Sequence, residues 1–107
     1  MNLSVIIPCY NEVNSIESVV QRVTEVIGND GEIIVVDDYS TDGTRELLKN
    51  NIDGKLARVF YQGFNQGKGA ALRKGFAVAT KDILIVQDAD FEYDPHDYSI
   101  MIEPILG

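Results

Sequence analysis

The segment that decides the fold is IIVVDD at residues 33–38, in which four β-branched residues precede Asp37 and Asp38. A short apolar run without alternation is typical of a strand buried on both faces, as in parallel sheets. Similar apolar runs occupy residues 3–7 and residues 83–86. The sequence therefore predicts three buried strands, and polar residues follow each of them.

A helix is predicted after the first strand, which Pro8 is expected to end. Asn14 and Glu17 match the capping-box pattern, so we expect Asn14 to cap this helix. The apolar residues that follow recur at helical spacing and form one face: Ile16, Val19, Val20, Val23, Val26 and Ile27. The chain thus begins with a strand and an amphipathic helix.

The same alternation continues along the chain. A second helix is expected to follow a cap at residues 40–42 and to run to about residue 49. Further helices are expected at residues 70–79 and from Pro95, interrupted near Pro104, and a less buried strand at residues 55–61. The candidate caps of the second helix are Ser40, Thr41 and Asp42. This order predicts an α/β fold, a Rossmann-like parallel sheet with helices on both faces.

Composition narrows the class of protein. The chain has 107 residues, 45% of them hydrophobic, which suits one small packed domain. Its net charge of -8 argues against binding to a nucleic-acid backbone. Cys9 is the single cysteine, so no internal disulfide is expected, and the sequence shows neither a signal-peptide pattern nor a membrane-length apolar stretch. We expect a cytoplasmic domain.

Acidic residues follow the predicted strands, where parallel α/β sheets bind ligands. Asp88 and Asp90 lie two positions apart, so both carboxylates face the same side of an extended chain, and Glu92 continues the series. Hard cations such as Mg²⁺ or Mn²⁺ prefer carboxylate oxygens and bridge them to phosphates. The alternative is a solvated acidic turn; the second acidic pair, after the IIVV run, favours a metal.

Two other features have both a binding and a structural interpretation. One of Asp37 and Asp38 is expected to end its strand and cap the next helix, and Asp38 to accept hydrogen bonds from a nucleobase or ribose. The glycine-rich loop at residues 65–69 precedes a helix N terminus, which favours anions, and Lys68 and Arg73 add positive charge. An ordinary turn with basic surface residues explains this loop almost as well.

Three single residues bear on the chemistry that the predicted site can perform. Tyr10 either stacks on a base or lies at the rim. Cys9 is expected to be a small buried residue rather than a nucleophile. His96, the only histidine, is interpreted as a surface or capping residue, which leaves little from which to build a zinc site or a Ser-His triad.

Four stretches in order resemble the family 2 glycosyltransferases of the GT-A fold: VIIPCYNE at 5–12, IVVDDYSTDGT at 34–44, NQGKGAALRKG at 65–75 and QDADFE at 87–92. The polyprenyl- or dolichyl-phosphate sugar transferase branch is the most similar. The sequence departs from the family at Tyr39, where glycine or asparagine is common, and in length. The resemblance therefore implies that residues 1–107 are the nucleotide-sugar-binding half of a truncated GT-A domain.

The resemblance also implies a reaction and its residues. A UDP- or GDP-linked sugar would be bound with Mg²⁺ or Mn²⁺ and transferred with inversion to an acceptor such as a polyprenyl or dolichyl phosphate, at the cytoplasmic face of a membrane. Asp88 and Asp90 would be catalytic through the metal, with the base outside this chain. The implied metal ligands are Asp88, Asp90 and Glu92. The implied nucleotide-sugar-binding residues are Pro8, Tyr10, Glu12, Val36, Asp38, Lys68, Arg73, Asp88, Ala89 and Asp90.

Other functions remain open at this point. A dinucleotide-binding oxidoreductase should carry Gly-x-Gly-x-x-Gly after the first strand, where this chain has residues 8–12 instead. A phospho-acceptor signalling domain could use Asp37, Asp38 and Asp88 around Mg²⁺. A non-catalytic nucleotide-binding module is the third candidate, and a sheet truncated at one edge would favour self-association.

Overall fold

Five strands form one sheet in the computed structural model, which describes residues 2–89 and 102–104. The strands are β1 (Leu3–Cys9), β2 (Glu32–Asp37), β3 (Arg58–Tyr61), β4 (Ile83–Val86) and β5 (Ile102–Pro104). They lie in the order β3-β2-β1-β4-β5, with β1 to β4 parallel and β5 antiparallel to β4. The predicted parallel α/β sheet is confirmed for four strands.

The antiparallel strand β5 was not predicted, because the sequence suggested a helix interrupted near Pro104. Pro104 instead ends β5, and an edge strand tolerates a residue that lacks an N–H donor. The start of that predicted helix, at Pro95, and His96 lie outside the described residues.

Strand β1 continues through Pro8 to Cys9, two residues further than predicted. Its pairing with β4 ends where the Gln87 N–H donates to the Ile6 carbonyl at 2.9 Å. Alternate residues of a strand direct their backbone groups to opposite neighbours, so the Pro8 nitrogen faces the β4 side beyond that last bond. The Cys9 carbonyl, on the β2 side, accepts from the Asp38 N–H at 2.8 Å. The proline therefore breaks no ladder bond and does not stop the strand.

Helices cover both faces of the sheet, as predicted. Helix α1 (Ile16–Ile27) and the segment formed by α2 (Thr44–Leu47) and a π-helical turn (Leu48–Ile52) pack on the face of Val5 and Ile7. Helix α3 (Lys68–Val78) packs on the opposite face, where its Ala71 contacts a cluster of buried strand residues: Ile6, Ile34 and Val36. A 3-10 turn (Gly28–Asp30) links α1 to β2. Among the described residues, no helix combines the length and apolar character that crossing a bilayer requires.

The cap of α1 is Ser15 rather than Asn14, and the predicted capping box is wrong. The Glu12 carbonyl accepts from the N–H groups of Ser15 and Ile16, at 3.1 and 2.9 Å, which starts the helix at Ile16. Ser15 makes no side-chain cap, because its hydroxyl contacts residues at the end of the sheet. The predicted apolar face of α1 is confirmed, with five of its six residues buried and Val26 partly buried.

The helix starts near the carboxyl end of the sheet also differ from prediction. Helix α2 follows Gly43, which has a φ of 99° and no side chain that could cap the helix, and none of the candidate caps occupies that position. Asp42 instead accepts from the Thr44 N–H at 3.0 Å, within the turn. Helix α3 begins at Lys68, after Gly67 with φ of 92°, two residues earlier than predicted. Lys68 therefore lies on a helix rather than in a loop.

Candidate functional site

A cleft of about 400 Å³ opens at the carboxyl ends of β1, β2 and β4. Strand β1 has β2 on one side and β4 on the other, so the strand order reverses there, and ligands of open α/β sheets bind at such a switch point. The cleft is lined by Pro8, Cys9, Tyr10, Glu12, Asp38, Asn65, Gly67, Lys68, Ala71 and Asp88. Residues from the four sequence stretches at 5–12, 34–44, 65–75 and 87–92 thus meet around one cavity.

The loops after β1 and β2 are locked together beside this cleft by Asn11. Its backbone has a φ of 54°, its N–H donates to the Ser40 hydroxyl at 2.8 Å, and its side-chain oxygen accepts from the Thr41 N–H at 2.8 Å. Asparagine tolerates the left-handed region better than most residues. Sequence reasoning assigned Asn11 no role, because its partners are 29 and 30 residues away.

Asp37 and Asp38 divide structural and cleft positions between them. Asp37 is fully buried; it lies 3.0 Å from the Arg45 Nε and accepts from the N–H and hydroxyl of Ser40, at 3.0 and 2.6 Å. It ends β2, as the structural interpretation proposed, but it does not cap α2. Asp38 is the one that reaches the cleft.

The Asp38 carboxylate holds the glycine-rich loop. Its two oxygens accept from the N–H groups of Gln66 and Gly67, at 2.8 and 2.9 Å, just before α3 begins. The anion-favouring N terminus of α3 therefore already carries a carboxylate of the protein itself. Each oxygen of an ionised carboxylate keeps acceptor capacity, so Asp38 can still accept a hydrogen bond from a ligand.

Lys68 and Asp88 form an ion pair within the lining of the cleft. The Lys68 Nζ lies 2.8 Å from the Asp88 Oδ1, with side chains that are 60% and 16% exposed. Asp88 follows β4 by two residues, and Lys68 is the first residue of α3. The carboxylate that lines the cleft thus has a largely exposed cationic side chain as its counter-ion.

Ser15 fixes the turn that contains Asp88. Its hydroxyl lies 2.6 Å from the Ala89 carbonyl, to which it donates, and 3.1 Å from the Glu12 Oε2. Ala89 itself is 3% exposed and packs in the core. Sequence reasoning missed this contact between residues 74 positions apart; the serine next to the helix start was the only signal.

The remaining predicted residues differ in where they lie relative to the cleft. Val36 and Ala89 are buried behind the cleft and do not line it. Arg73 is exposed on α3, also outside the lining, with its guanidinium near Gly69. Asp90 and Glu92 lie outside the described residues. Tyr10 lines the cleft with 47% of its surface exposed, a position at the rim from which a ring can also stack on a ligand.

Cys9 at the base of the cleft is buried, as predicted. Burial raises the pKa of its thiol, and the negative charges of Asp37, Glu12 and Asp42 raise it further. The thiolate is the nucleophilic form of cysteine, so a thiol with a raised pKa is unreactive at neutral pH. Cys9 therefore contributes packing.

Asp88 has the chemistry of a divalent-cation ligand. Its carboxylate borders the cleft and attracts a cation, the Lys68 ammonium, and carboxylate oxygens are the ligands that Mg²⁺ and Mn²⁺ prefer. Within residues 2–89 and 102–104, no three His, Cys, Asp or Glu residues lie close enough to hold a metal together. The described residues fit such an ion through one carboxylate, and Asp90 and Glu92 are the predicted companions of Asp88.

The sequence of the whole chain is similar to that of a known protein family. The model of the family described as "Glycosyl transferase family 2" matches residues 4–107. A dolichol-phosphate mannosyltransferase of Pyrococcus furiosus is 35% identical over 106 residues, which cover 98% of this chain and 30% of that protein. An undecaprenyl-phosphate 4-deoxy-4-formamido-L-arabinose transferase of Aeromonas hydrophila is 36% identical over 110 residues, covering 97% and 33%. The chain spans about a third of the length of these relatives.

Solved structures with the same fold contain nucleotides and manganese. A mannosyltransferase of Pyrobaculum calidifontis in complex with GDP-Man and Mn²⁺ superposes with a TM-score of 0.74 at 32% identity, over 83% of this chain and 27% of that one. Glucosyl-3-phosphoglycerate synthase of Mycobacterium tuberculosis with Mn²⁺, UDP and glucosyl-3-phosphoglycerate gives a TM-score of 0.70 at 30% identity, over 88% and 36%. Both are glycosyl-transferring proteins by their descriptions.

Proposed function

The chain belongs to glycosyltransferase family 2, and we propose that its cleft binds the nucleoside-diphosphate part of a sugar donor together with a divalent cation. The observation that carries the proposal is the meeting of Asp88, Lys68 and Asp38 in one cleft at the switch point of the sheet. The Mn²⁺, GDP-Man and UDP of the two solved structures support it by likeness. The phospho-acceptor alternative is set aside, because the family match covers residues 4–107 and Asp37 is buried against Arg45.

Asp88, Asp90 and Glu92 are the residues that would hold Mg²⁺ or Mn²⁺. When bound, such a cation supplies Lewis-acid stabilisation of the departing diphosphate. Lys68 brings an ammonium to the same side of the cleft, where it can pair with a diphosphate oxygen. Arg73, exposed further along α3, would reach the donor only from outside the cleft.

The nucleoside would lie between the loops after β1 and β2. Tyr10 offers a ring face for stacking, Pro8 and Glu12 border the same space, and Asp38 offers an acceptor to a nucleobase or ribose donor. Val36 and Ala89 would act from behind, because they pack under these groups. The locked loops keep these positions fixed before a ligand arrives, which lowers the entropic cost of binding.

For the complete protein we extend the proposal to transfer with inversion onto a polyprenyl or dolichyl phosphate at the cytoplasmic face of a membrane. The names of the two curated relatives favour such an acceptor. A phosphate oxygen is already anionic and nucleophilic, so this acceptor needs little help from a base. Self-association remains a prediction, and a non-catalytic nucleotide-binding module is the second candidate for this chain, because it spans about a third of its relatives.

Calorimetric titration of UDP and of GDP, with Mn²⁺ and then with EDTA, tests the donor site. We expect metal-dependent binding of one nucleotide, and we expect Asp88→Asn to weaken it by about 1–3 kcal/mol, the value of a contact to a charged group. Asp90→Ala should weaken binding by a similar amount. The matched control is Asp82→Asn, the same change in an exposed residue before the amino end of β4.

Absence of nucleotide binding by folded wild-type protein in both conditions would refute the donor site. Equal affinities of wild type and Asp88→Asn would refute the assignment of the metal to Asp88. Binding without any turnover in the presence of donor and lipid phosphate would favour the non-catalytic module.

A further inference from the structure

The ion pair between Lys68 and Asp88 places a cation of the protein on the carboxylate proposed to hold the metal. Nζ and Oδ1 are 2.8 Å apart, which is the distance of a charge-assisted hydrogen bond. Asp88 is 16% exposed and Lys68 is 60% exposed, so solvent reaches the lysine side chain far more than it reaches the carboxylate. Asp88 lies two residues after β4 and Lys68 is the first residue of α3, so the pair joins two separate segments that border the cleft.

We infer that Lys68 is a counter-ion that a divalent cation must displace from Asp88, and that the displaced ammonium then binds the diphosphate of the donor. This inference rests on the proposed donor site. Lys68 therefore competes with the metal for Asp88 when the cleft holds no nucleotide. When the cleft holds both metal and nucleotide, Lys68 increases the affinity for the nucleotide.

Charge and distance favour the displacement. A divalent ion such as Mg²⁺ binds a carboxylate oxygen at about 2.0–2.1 Å, closer than the ammonium lies now. An ammonium left at 2.8 Å from the same oxygen would be a few ångströms from a doubly charged ion, with strong repulsion in a partly desolvated cleft. The flexible four-carbon stem of lysine allows the ammonium to leave without any shift of α3.

The charges around Lys68 indicate where the ammonium goes. Asp38, the carboxylate that holds the loop before Lys68, already accepts two backbone N–H groups through its two oxygens. The chain carries a net charge of -8. Among the described residues that line the cleft, Lys68 is the only cationic one. A diphosphate entering the cleft supplies the new anion at the place where Lys68 supplies the cation.

Two titrations on Lys68→Gln separate this role from a simple binding role, because the expected effects have opposite signs. In the first titration, Mn²⁺ is added without nucleotide, and the free ion is measured by electron paramagnetic resonance. The variant should bind Mn²⁺ about two- to fivefold more tightly, which is the range expected for loss of an exposed ion pair. UDP or GDP, titrated at saturating Mn²⁺, should bind the variant about tenfold more weakly, as for loss of a charged hydrogen bond.

Two further variants serve as controls. Lys74→Gln makes the same charge change on α3, but its ammonium lies 5.0 Å from the centre of the Phe60 ring rather than in the cleft, so both affinities should match wild type. Lys68→Arg keeps a cation and should keep the wild-type Mn²⁺ affinity. Tighter Mn²⁺ binding in Lys74→Gln as well would show a general charge effect and overturn the inference.

The outcomes distinguish this inference from the donor site itself. If wild type binds nucleotide with Mn²⁺ but Lys68→Gln binds Mn²⁺ equally or more weakly, the counter-ion role is overturned and the donor site stands. If wild type binds no nucleotide with Mn²⁺, the donor site fails and the inference fails with it. Tighter Mn²⁺ binding together with weaker nucleotide binding supports both.

Discussion

Tyr39 has a left-handed backbone conformation, with φ of 67°, two residues after Asp37 ends β2. This conformation costs a residue with a side chain about 1–2 kcal/mol, which explains why glycine or asparagine suits the position. The Tyr39 ring lies 5.2 Å from the Arg45 guanidinium, and the Tyr61 ring lies 5.3 Å from the same group. Cation–π contacts of this kind contribute about 0.5–1 kcal/mol at exposed sites, so the tyrosine offsets part of its own strain.

Arg45 also neutralises Asp37, and its removal should destabilise the fold. Asp37 is 0% exposed and lies 3.0 Å from the Arg45 Nε, so Arg45→Met would leave a buried carboxylate without its cation. We expect the free energy of unfolding to fall by about 3 kcal/mol, measured by urea denaturation. Arg73→Met, a change at an exposed position on α3, should alter it by less than about 0.5 kcal/mol. An equally small effect at Arg45 would mean that Ser40 suffices to hold the buried charge.

At the scale of elements, the contact between α3 and β1 depends on Gly75. A Cβ at this position would overlap the Ile6 Cγ2, in the middle of the sheet, where Ile6 is fully buried. Glycine is unfavourable inside a helix, and here it allows α3 to approach the central strand closely. The same approach sets the position of Lys68 at the first turn of α3.

Replacing Gly75 by alanine should therefore move α3 away from β1. We expect Gly75→Ala to lower the free energy of unfolding by about 1–3 kcal/mol through overpacking and to weaken nucleotide binding, because Lys68 moves with the helix. Gly69→Ala is the matched control: its Cβ would lie 3.4 Å from the flexible end of Arg73, and alanine favours helix. Thermal unfolding and calorimetry should show a loss at position 75 only; equal behaviour of the two variants would mean that α3 can shift without cost.

The sequence was most informative where one local pattern determines an element. Strand β4 was predicted at its observed bounds, and the buried face of α1 was predicted residue by residue, because apolar runs and helical spacing are local signals. Pro8 misled, since whether a proline ends a strand depends on which neighbour its nitrogen faces. The start of α3 at Lys68 and the edge strand β5 depend on pairings with distant residues, which no local pattern specifies.

At the scale of the whole molecule, the sequence predicted the location of the candidate site better than it predicted the contacts within it. Six of the predicted binding residues line one cleft, because the carboxyl ends of parallel strands meet at one edge of the sheet: Pro8, Tyr10, Glu12, Asp38, Lys68 and Asp88. Val36, Ala89 and Arg73 do not line it, since strand alternation and helix rotation direct them elsewhere. The links made by Asn11 and Ser15 join residues far apart in sequence and became visible only in the fold.

The opposite end of the sheet carries a carboxylate with a structural role, Glu32. It accepts from the Ser4 hydroxyl at 2.6 Å and from the N–H and hydroxyl of Thr80, at 2.6 and 2.8 Å, and it pairs with Arg58 at 3.3 Å. Burial opposes ionisation, but these hydrogen bonds and the Arg58 charge outweigh it and hold the pKa of Glu32 below its ordinary value. Glu32 thereby ties together the amino ends of the strands that carry the cleft at their other end.

A lowered pKa in the folded state means that the ionised Glu32 stabilises the fold above the unfolded pKa of about 4.3, and that this stability is lost as the pH falls through the folded value. We expect Glu32→Gln to lower the free energy of unfolding by about 1–2 kcal/mol at pH 7, roughly that of hydrogen bonds to a charged group. Denaturation between pH 7 and pH 3 should show the difference from wild type shrinking below about pH 4.3, since the wild-type carboxylate then becomes neutral as well. Glu25→Gln, at an exposed position on α1, should follow the wild-type profile throughout. A difference that stays constant down to pH 3 would show that Glu32 acts through its shape rather than its charge, and that the sheet is held at this end by packing alone.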